Sequence, residues 1–183
     1  MDCFALMVNE HKNIKRMLAV MRKICYLVLR GEDVDYTNFF RIIDFVRNYA
    51  DQHHHGKEET LLFVSMMEEL GPVAENLVKY GMNIEHDWGR LYMQELEVAV
   101  QRVLDGDDEA KLDVIANAIS YTHLLERHIN KEDDVAYVYA QKNLKPATIA
   151  SLNKDCARLE QEADDNNTIQ KYLALLNELE AAF

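Results

Sequence analysis

The sequence has few of the residues that interrupt helices and few that cross-link a chain. Its 183 residues include only 6 glycines and 2 prolines, which leaves little material for the turns of β-sheet folds. The 3 cysteines, Cys3, Cys25 and Cys156, are an odd number without a paired spacing, so we expect no disulfide framework and favour a reducing compartment. Leu, Ala, Glu, Lys, Met and Arg are abundant, and these good helix formers predict an all-α protein.

Basic residues are also scarce relative to acidic ones. The 20 Lys and Arg against 32 Asp and Glu give a formal charge of -12, which repels phosphate backbones and anionic lipid head groups. No apolar run approaches membrane-spanning length, and the N terminus lacks the basic and apolar pattern of a signal peptide. We therefore expect a cytoplasmic protein with no nucleic-acid partner and no membrane partner.

Apolar residues recur at helical spacing along four long segments. The first ends near Gly31, the second runs from about Thr37 to Leu70, the third ends near Leu104 and the fourth near Asn143. Short turns between long helices predict an antiparallel up-down-up-down four-helix bundle over residues 1–145. Two shorter amphipathic stretches in residues 146–183 predict two additional C-terminal helices, which pack on the bundle or mediate self-association as a homo-oligomer.

Two of the long segments carry a histidine and a glutamate one turn apart on the apolar stripe. Steps of three and four residues from His54 meet apolar residues in both directions, and Glu58 lies four positions on. The same count from His53 or His55 meets a lysine or polar residues, so we expect these two side chains to be exposed. The fourth segment repeats the pair as His128 and Glu132.

The other two long segments each carry a histidine directly after a glutamate, as Glu10-His11 and Glu85-His86. The chain thus contains two successive copies of Glu-His, a long interval, and His-x-x-x-Glu followed by a second acid. Glu10 and Glu85 either orient a neighbouring histidine or are solvated surface acids. A core histidine with a local hydrogen bond would explain either copy alone, but random core histidines would not repeat in register.

Four imidazoles and two carboxylates inside one bundle form a ligand set for two metal ions that share the carboxylates. The candidate ligands are His11, His54, Glu58, His86, His128 and Glu132. A mixed nitrogen and oxygen set without thiolate suits iron and is compatible with manganese or zinc. The sequence contains no CxxCH haem motif, no HExxH motif and none of the Glu-x-x-His motifs of ferritin-like proteins.

The series EH at residues 10–11, HHxxEE at 54–59, EH at 85–86 and HxxxED at 128–133 resembles a hemerythrin-like domain of the HHE cation-binding type. The resemblance covers about residues 1–145. It implies that the six candidate ligands hold two non-haem iron ions, bridged by Glu58, Glu132 and an oxo or hydroxo group. It also implies an open coordination position for a small diatomic molecule or peroxide.

One ligand of the oxygen-carrying hemerythrins has no counterpart here. Those proteins take a fifth histidine from a His-x-x-x-His pair, whereas the residue four positions before His86 is Met82. Water or a nearby tyrosine such as Tyr121 is the alternative ligand. We therefore expect a protein that binds or senses dioxygen or nitric oxide. Two alternatives stay open: an enzyme that decomposes peroxide or handles reactive oxygen and nitrogen species, and an iron-storage or metal-stabilised interaction protein.

Overall fold

Helices account for nearly the whole chain, as the scarcity of glycine and proline predicts. The computed structural model describes residues 1–183, and it contains no β-strand. Six continuous helical segments follow one another. They are α1 (Cys3–Leu29), α2 (residues 37–70), α3 (residues 72–104), α4 (residues 108–143), α5 (Pro146–Asp165) and α6 (Thr168–Ala182). The all-α prediction is therefore confirmed.

Local chemistry explains where the long segments begin and end. The Asp2 carboxylate accepts hydrogen bonds from the backbone N–H groups of Phe4 and Ala5 and so caps α1. Gly31, Gly71 and Gly106 have positive φ, a conformation that glycine adopts without steric cost. These three glycines lie between α1 and α2, between α2 and α3, and between α3 and α4, so each long segment ends at a residue suited to a sharp turn.

Three of the long segments contain π-helical stretches. They are Val46–His55 and Glu58–Leu62 in α2, Val78–Met82 in α3 and Glu132–Ala136 in α4. A π-helical turn holds more residues than an α-helical turn and therefore rotates the side chains that follow it. Glu58 and Glu132 are the first residues of two such stretches, and the three histidines at residues 53–55 are the last residues of another.

Two apolar clusters lie along the four long segments, with the candidate ligands between them. Along α1, Phe4 and Met7 belong to one cluster, His11 follows, and the residues from Ile14 to Val28 belong to the other. The order of the clusters reverses in α2, returns in α3 and reverses again in α4. The polar side chains of the centre are thus enclosed by apolar packing on both sides.

Both C-terminal helices pack on the rest of the chain. Leu152 and Cys156 of α5 belong to the cluster that includes Phe4, whereas Tyr172, Leu176 and Leu179 of α6 belong to the other cluster. None of the helices combines the length and the apolar character that a membrane span requires.

The expectation of no disulfide is wrong. Cys3 at the start of α1 and Cys156 in α5 form a disulfide, and the backbone N–H of Cys3 donates to Oδ1 of Asn153 over 2.8 Å. The two cysteines are 153 positions apart, so only the packing of α5 on α1 brings them together. Their spacing in the sequence carried no signal of this, and the argument for a reducing compartment loses its basis.

Candidate metal centre

The structure buries all six candidate ligands and brings them together from the four long segments. His11 and His86 are each 1% exposed, and His54, Glu58, His128 and Glu132 are fully buried. Their ligand atoms and one of His55 fall into two overlapping groups, in each of which the atoms lie within 4.8 Å of one another. One group is His11, His54, Glu58 and Glu132, and the other is His55, Glu58, His86 and His128.

Both glutamates lie between the two groups. Oε2 of Glu58 is 3.8 Å from Nε2 of His54 and 3.6 Å from Nε2 of His86. Oε2 of Glu132 is 3.3 Å from Nε2 of His11, and its Oε1 is 2.9 Å from Nε2 of His128. Each carboxylate therefore faces a histidine of each group, which is the arrangement that two bridged cations require.

Five inner atoms of this cluster make no hydrogen bond, whereas Nε2 of His86 and Nε2 of His128 lie 3.0 Å apart and share one. Seven buried side-chain nitrogen and oxygen atoms in the protein make no hydrogen bond, and five of them belong to the candidate ligands. The five are Nε2 of His11 and His54, Oε2 of Glu58 and both carboxylate oxygens of Glu132. Buried polar atoms without partners are costly, and a metal ion satisfies such lone pairs. The donor set therefore fits metal ions.

The outer nitrogen of each predicted histidine contacts a carboxylate. Nδ1 of His11 lies 2.7 Å from Asp133, that of His54 2.7 Å from Glu10, that of His86 2.6 Å from Glu59, and that of His128 2.8 Å from Glu85. A carboxylate that accepts the Nδ1 proton fixes the tautomer and turns the Nε2 lone pair inward, as in carboxylate–histidine–metal sites. Glu10 and Glu85 thus orient histidines, but each orients one on a different helix from its own.

Burial and charge set the protonation of the inner carboxylates. Burial and the neighbouring Glu132 raise the pKa of Glu58 well above its usual value. Burial also opposes the charge on Glu132, but the surrounding imidazoles, chiefly His128, hold its pKa well below the usual value. The opposite shifts mean that protons are unevenly shared within this cluster. Binding of a cation would displace such protons, so metal affinity at this centre would fall as pH falls.

Tyr137 holds the carboxylate of Glu58 and was not identified from the sequence. Its hydroxyl donates to Oε1 of Glu58 over 2.5 Å, and its ring stacks on that of His11 with centroids 5.6 Å apart. Burial raises the pKa of the Tyr137 hydroxyl well above its usual value, so the group remains a donor. It leaves Oε2 of Glu58 as the free ligand atom.

The comparison with protein families agrees with this geometry. The family model described as the Hemerythrin HHE cation binding domain matches residues 4–140. The chain belongs to the hemerythrin HHE family. No curated protein and no solved structure matches the chain. The matched residues include every candidate ligand of the hemerythrin-like centre, whereas α5 and α6 follow the matched region.

The side chain of His55 is buried, so the prediction that it is exposed is wrong. It is 5% exposed, and its ring stacks on that of His86 with centroids 3.8 Å apart. Nδ1 of His55 lies 3.3 Å from Asp51, so this histidine also has a carboxylate on its outer side. The π-helical backbone of Val46–His55 changes the direction of successive side chains, and both His54 and His55 face the hemerythrin-like centre.

His53 is also largely buried, in a separate polar network next to the hemerythrin-like centre. Nε2 of His53 lies 3.0 Å from Glu10 and 3.2 Å from Glu160 of α5. The Lys57 ammonium contacts the same two carboxylates, at 2.6 Å from Oε1 of Glu160. Because Lys57 is 1% exposed and already supplies a cation there, this group is an ion-pair network and not a third metal site.

Proposed function

We propose that this hemerythrin-family chain holds two iron ions and binds or senses a small molecule such as dioxygen or nitric oxide. The observation that carries the proposal is a set of five buried ligand atoms without hydrogen-bond partners. They belong to His11, His54, Glu58 and Glu132, which lie together in one buried cluster. The alternating order of the apolar clusters along α1 to α4 supports the antiparallel up-down-up-down bundle that the sequence predicts.

We assign the ligands in two halves. His11 and His54 would serve one ion and His86 and His128 the other, and Glu58 and Glu132, each of which faces a histidine of both halves, would serve both. His55 lies with the second half, where it would supply a third nitrogen ligand. On this assignment His55 would take the place of the fifth histidine that Met82 leaves missing, from a different helix.

Iron bound here would supply redox-active coordination positions for dioxygen, nitric oxide or peroxide. The chain's own residues perform the supporting work. The acids Glu10, Glu59, Glu85 and Asp133 orient the imidazoles. The Tyr137 hydroxyl holds Glu58, and the two apolar clusters keep bulk water from the centre.

Metal content tests this proposal directly. We expect anaerobically purified protein to contain about two irons per chain, and His128→Gln to lose much of this iron because Nε2 of His128 faces Glu132 at the centre. His123→Gln is the matched control, since His123 lies in the same helical segment with its side chain exposed. A protein purified without metal, or a His128→Gln variant that keeps both irons, would contradict the proposal.

Reactivity then separates binding from turnover. Stopped-flow mixing of the reduced protein with dioxygen, nitric oxide and hydrogen peroxide should give a reversible adduct with one of the two diatomic molecules. Sustained consumption of peroxide without a stable diatomic adduct would favour the peroxide-decomposing enzyme instead.

A further inference from the structure

Large apolar side chains are exposed mainly on one helical segment. More than half of those in the protein belong to α3, and α5 and α6 contribute none. Five of them form a strip along the outer side of α3, namely Tyr80, Ile84, Trp88, Leu91 and Val98. The only tryptophan of the chain is among them, and it is 49% exposed although it lies in the interior of the helix. Exposed apolar strips of this kind mark interaction surfaces.

The strip follows a seven-residue repeat. Leu77, Ile84, Leu91 and Val98 are spaced seven positions apart, and the last three are exposed. Trp88 lies beside this line, four positions after Ile84. An apolar line with a seven-residue repeat is typical of helices that pair side by side with another helix. No helix of the chain itself covers this line, because its members are exposed.

Two shallow grooves adjoin the Trp88 ring. One has a volume of about 190 Å³ and is lined by Ile84 and Leu91, and the other, of about 340 Å³, extends towards Tyr80 and Tyr92. The face thus has a projecting aromatic ring and hollows on the same strip. Tryptophan and tyrosine are also the residues that contribute most at protein interfaces.

The strip is symmetric about a point between positions 87 and 88. Ile84 and Leu91 lie equally far from this point, and so do Leu77 and Val98. A twofold axis through the point would place a second copy of α3 antiparallel to the first. Ile84 of one copy would then meet Leu91 of the other, so apolar residues meet apolar residues along the strip. Such self-complementarity is what a twofold interface requires.

The charges beside the strip favour the same partner. Asp87 is neutralised within the chain by Arg90 over 3.0 Å, whereas Glu95 is exposed and forms no ion pair. In the antiparallel arrangement Glu95 would face Tyr80 and the half-exposed Lys79 of the second copy. These opposite charges matter because a formal charge of -12 would otherwise keep two copies apart.

We propose that this face of α3 binds a second copy of the chain in an antiparallel arrangement and so forms a dimer with twofold symmetry. Trp88 of each copy would lie against Ile84 and Leu91 of the other. The C-terminal helices have their apolar stripes packed on the bundle and expose no large apolar side chain, so self-association falls to α3. The dimer needs no bound metal, and its test is therefore independent of the proposed function.

Sedimentation equilibrium of the full chain tests the proposal. The parent should be a dimer that dissociates on dilution. Trp88→Glu should raise the dissociation constant of the dimer at least about a hundredfold, because each dimer loses two central aromatic contacts. Leu112→Glu adds the same charge at an exposed leucine of α4 and should dimerise like the parent. Circular dichroism should show equal helix content in the three proteins, and a folded Trp88→Glu that dimerises like the parent would overturn the proposal.

Charge reversal tests the antiparallel orientation. Glu95→Lys places two positive charges together at each end of the interface, and Lys79→Glu places two negative charges there. Each should raise the dissociation constant about tenfold, since every contact occurs twice in the dimer. The variant with both changes restores opposite charges and should dimerise close to the parent level. A double variant no tighter than the single ones would overturn the orientation.

Cysteine cross-linking tests the register. Position 87 lies beside the twofold axis, so Asp87→Cys should form a disulfide between copies on air oxidation, while the native cysteines are buried. Val98→Cys is the matched control on the same face, because its two copies would lie about 30 Å apart along the helices. A cross-link through position 98 would overturn the proposed register. A parent that stays monomeric up to about 1 mM would overturn the dimer and leave the face to a different protein.

Discussion

The imidazole of His55 is held in the form that binds metal. Burial, together with the nearby His86, lowers the pKa of His55 well below its usual value, so the ring is neutral near pH 7. Its outer nitrogen faces Asp51, and its ring lies flat against that of His86, with an angle of 8° between the planes. Both features are those of an oriented ligand rather than of a surface histidine.

We therefore expect His55→Ala to weaken the binding of one of the two proposed irons. Loss of a residue that merely orients a ligand typically costs about 10–100-fold in affinity, and loss of a ligand should cost at least as much. Iron content after dialysis against a ferrous chelator should fall from about two towards one per chain, while exposed His123→Ala keeps the parent value. Equal retention in both variants would mean that His55 only packs.

The six other candidate residues were predictable from the sequence, and His55 was not, for one physical reason. A fixed count of 3.6 residues per turn gives the correct inward face for His54 and for His128, where the repeated pattern supports it. That count fails for His55, because the π-helical turns before it hold more residues per turn and leave no mark in the periodicity. Tyr137 was missed because the same count leaves it off the inward stripe of α4, whereas the π-helical stretch Glu132–Ala136 precedes it and the side chain is buried.

Among the helices, α5 is connected to the centre by charge as well as by apolar packing. Glu160 of α5 accepts from the buried Lys57 ammonium, Lys57 also contacts Glu10, and Glu10 accepts from His54. The sequence predicts the apolar stripe of α5. It does not predict that a glutamate beside that stripe meets a lysine 103 positions away, since no local pattern encodes such a contact.

Glu160→Gln should therefore destabilise the protein more than a change at an exposed glutamate of the same helix. Removing the charge from a hydrogen bond to a buried ammonium costs about 1.5–3 kcal/mol, to be measured by urea unfolding of the metal-free protein. Glu162→Gln is the control, because its partner Arg158 lies one turn away and both side chains are more than half exposed. Equal losses in the two variants would count against the buried network.

The contribution of Glu160 should also depend on pH with a definite sign. Burial opposes its charge, but His53 and Lys57 together keep the pKa of Glu160 below its usual value. A carboxylate with a lowered folded-state pKa stabilises the protein above its unfolded pKa and loses that contribution as the pH falls. The difference in unfolding free energy between parent and Glu160→Gln should thus be full at neutral pH and shrink below about pH 4.

In the whole molecule, apolar packing encloses the polar centre, and a disulfide joins two helices that are distant in sequence. The apolar clusters enclose it on two sides, and the Cys3–Cys156 disulfide fastens the first helix to the fifth beside one of these clusters. The helix order and the apolar stripes were predictable from local periodicity, whereas the disulfide depends on contacts between the two ends of the chain.

The disulfide gives a whole-chain prediction that thiol counting can check. Denatured protein without reductant should have one reactive thiol, Cys25, and denatured reduced protein should have three. Native protein without reductant should show no reactive thiol. Burial raises the pKa of the Cys25 thiol to about 12 and leaves little thiolate at pH 8. The Cys25→Ala control should have no reactive thiol before reduction and two after it.

Because the bond joins residues 153 positions apart, Cys156→Ser should lower the free energy of unfolding by about 2–4 kcal/mol. Three reactive thiols in denatured, unreduced protein would instead mean that Cys3 and Cys156 meet without bonding, and the loss of stability in Cys156→Ser should then fall well short of that range.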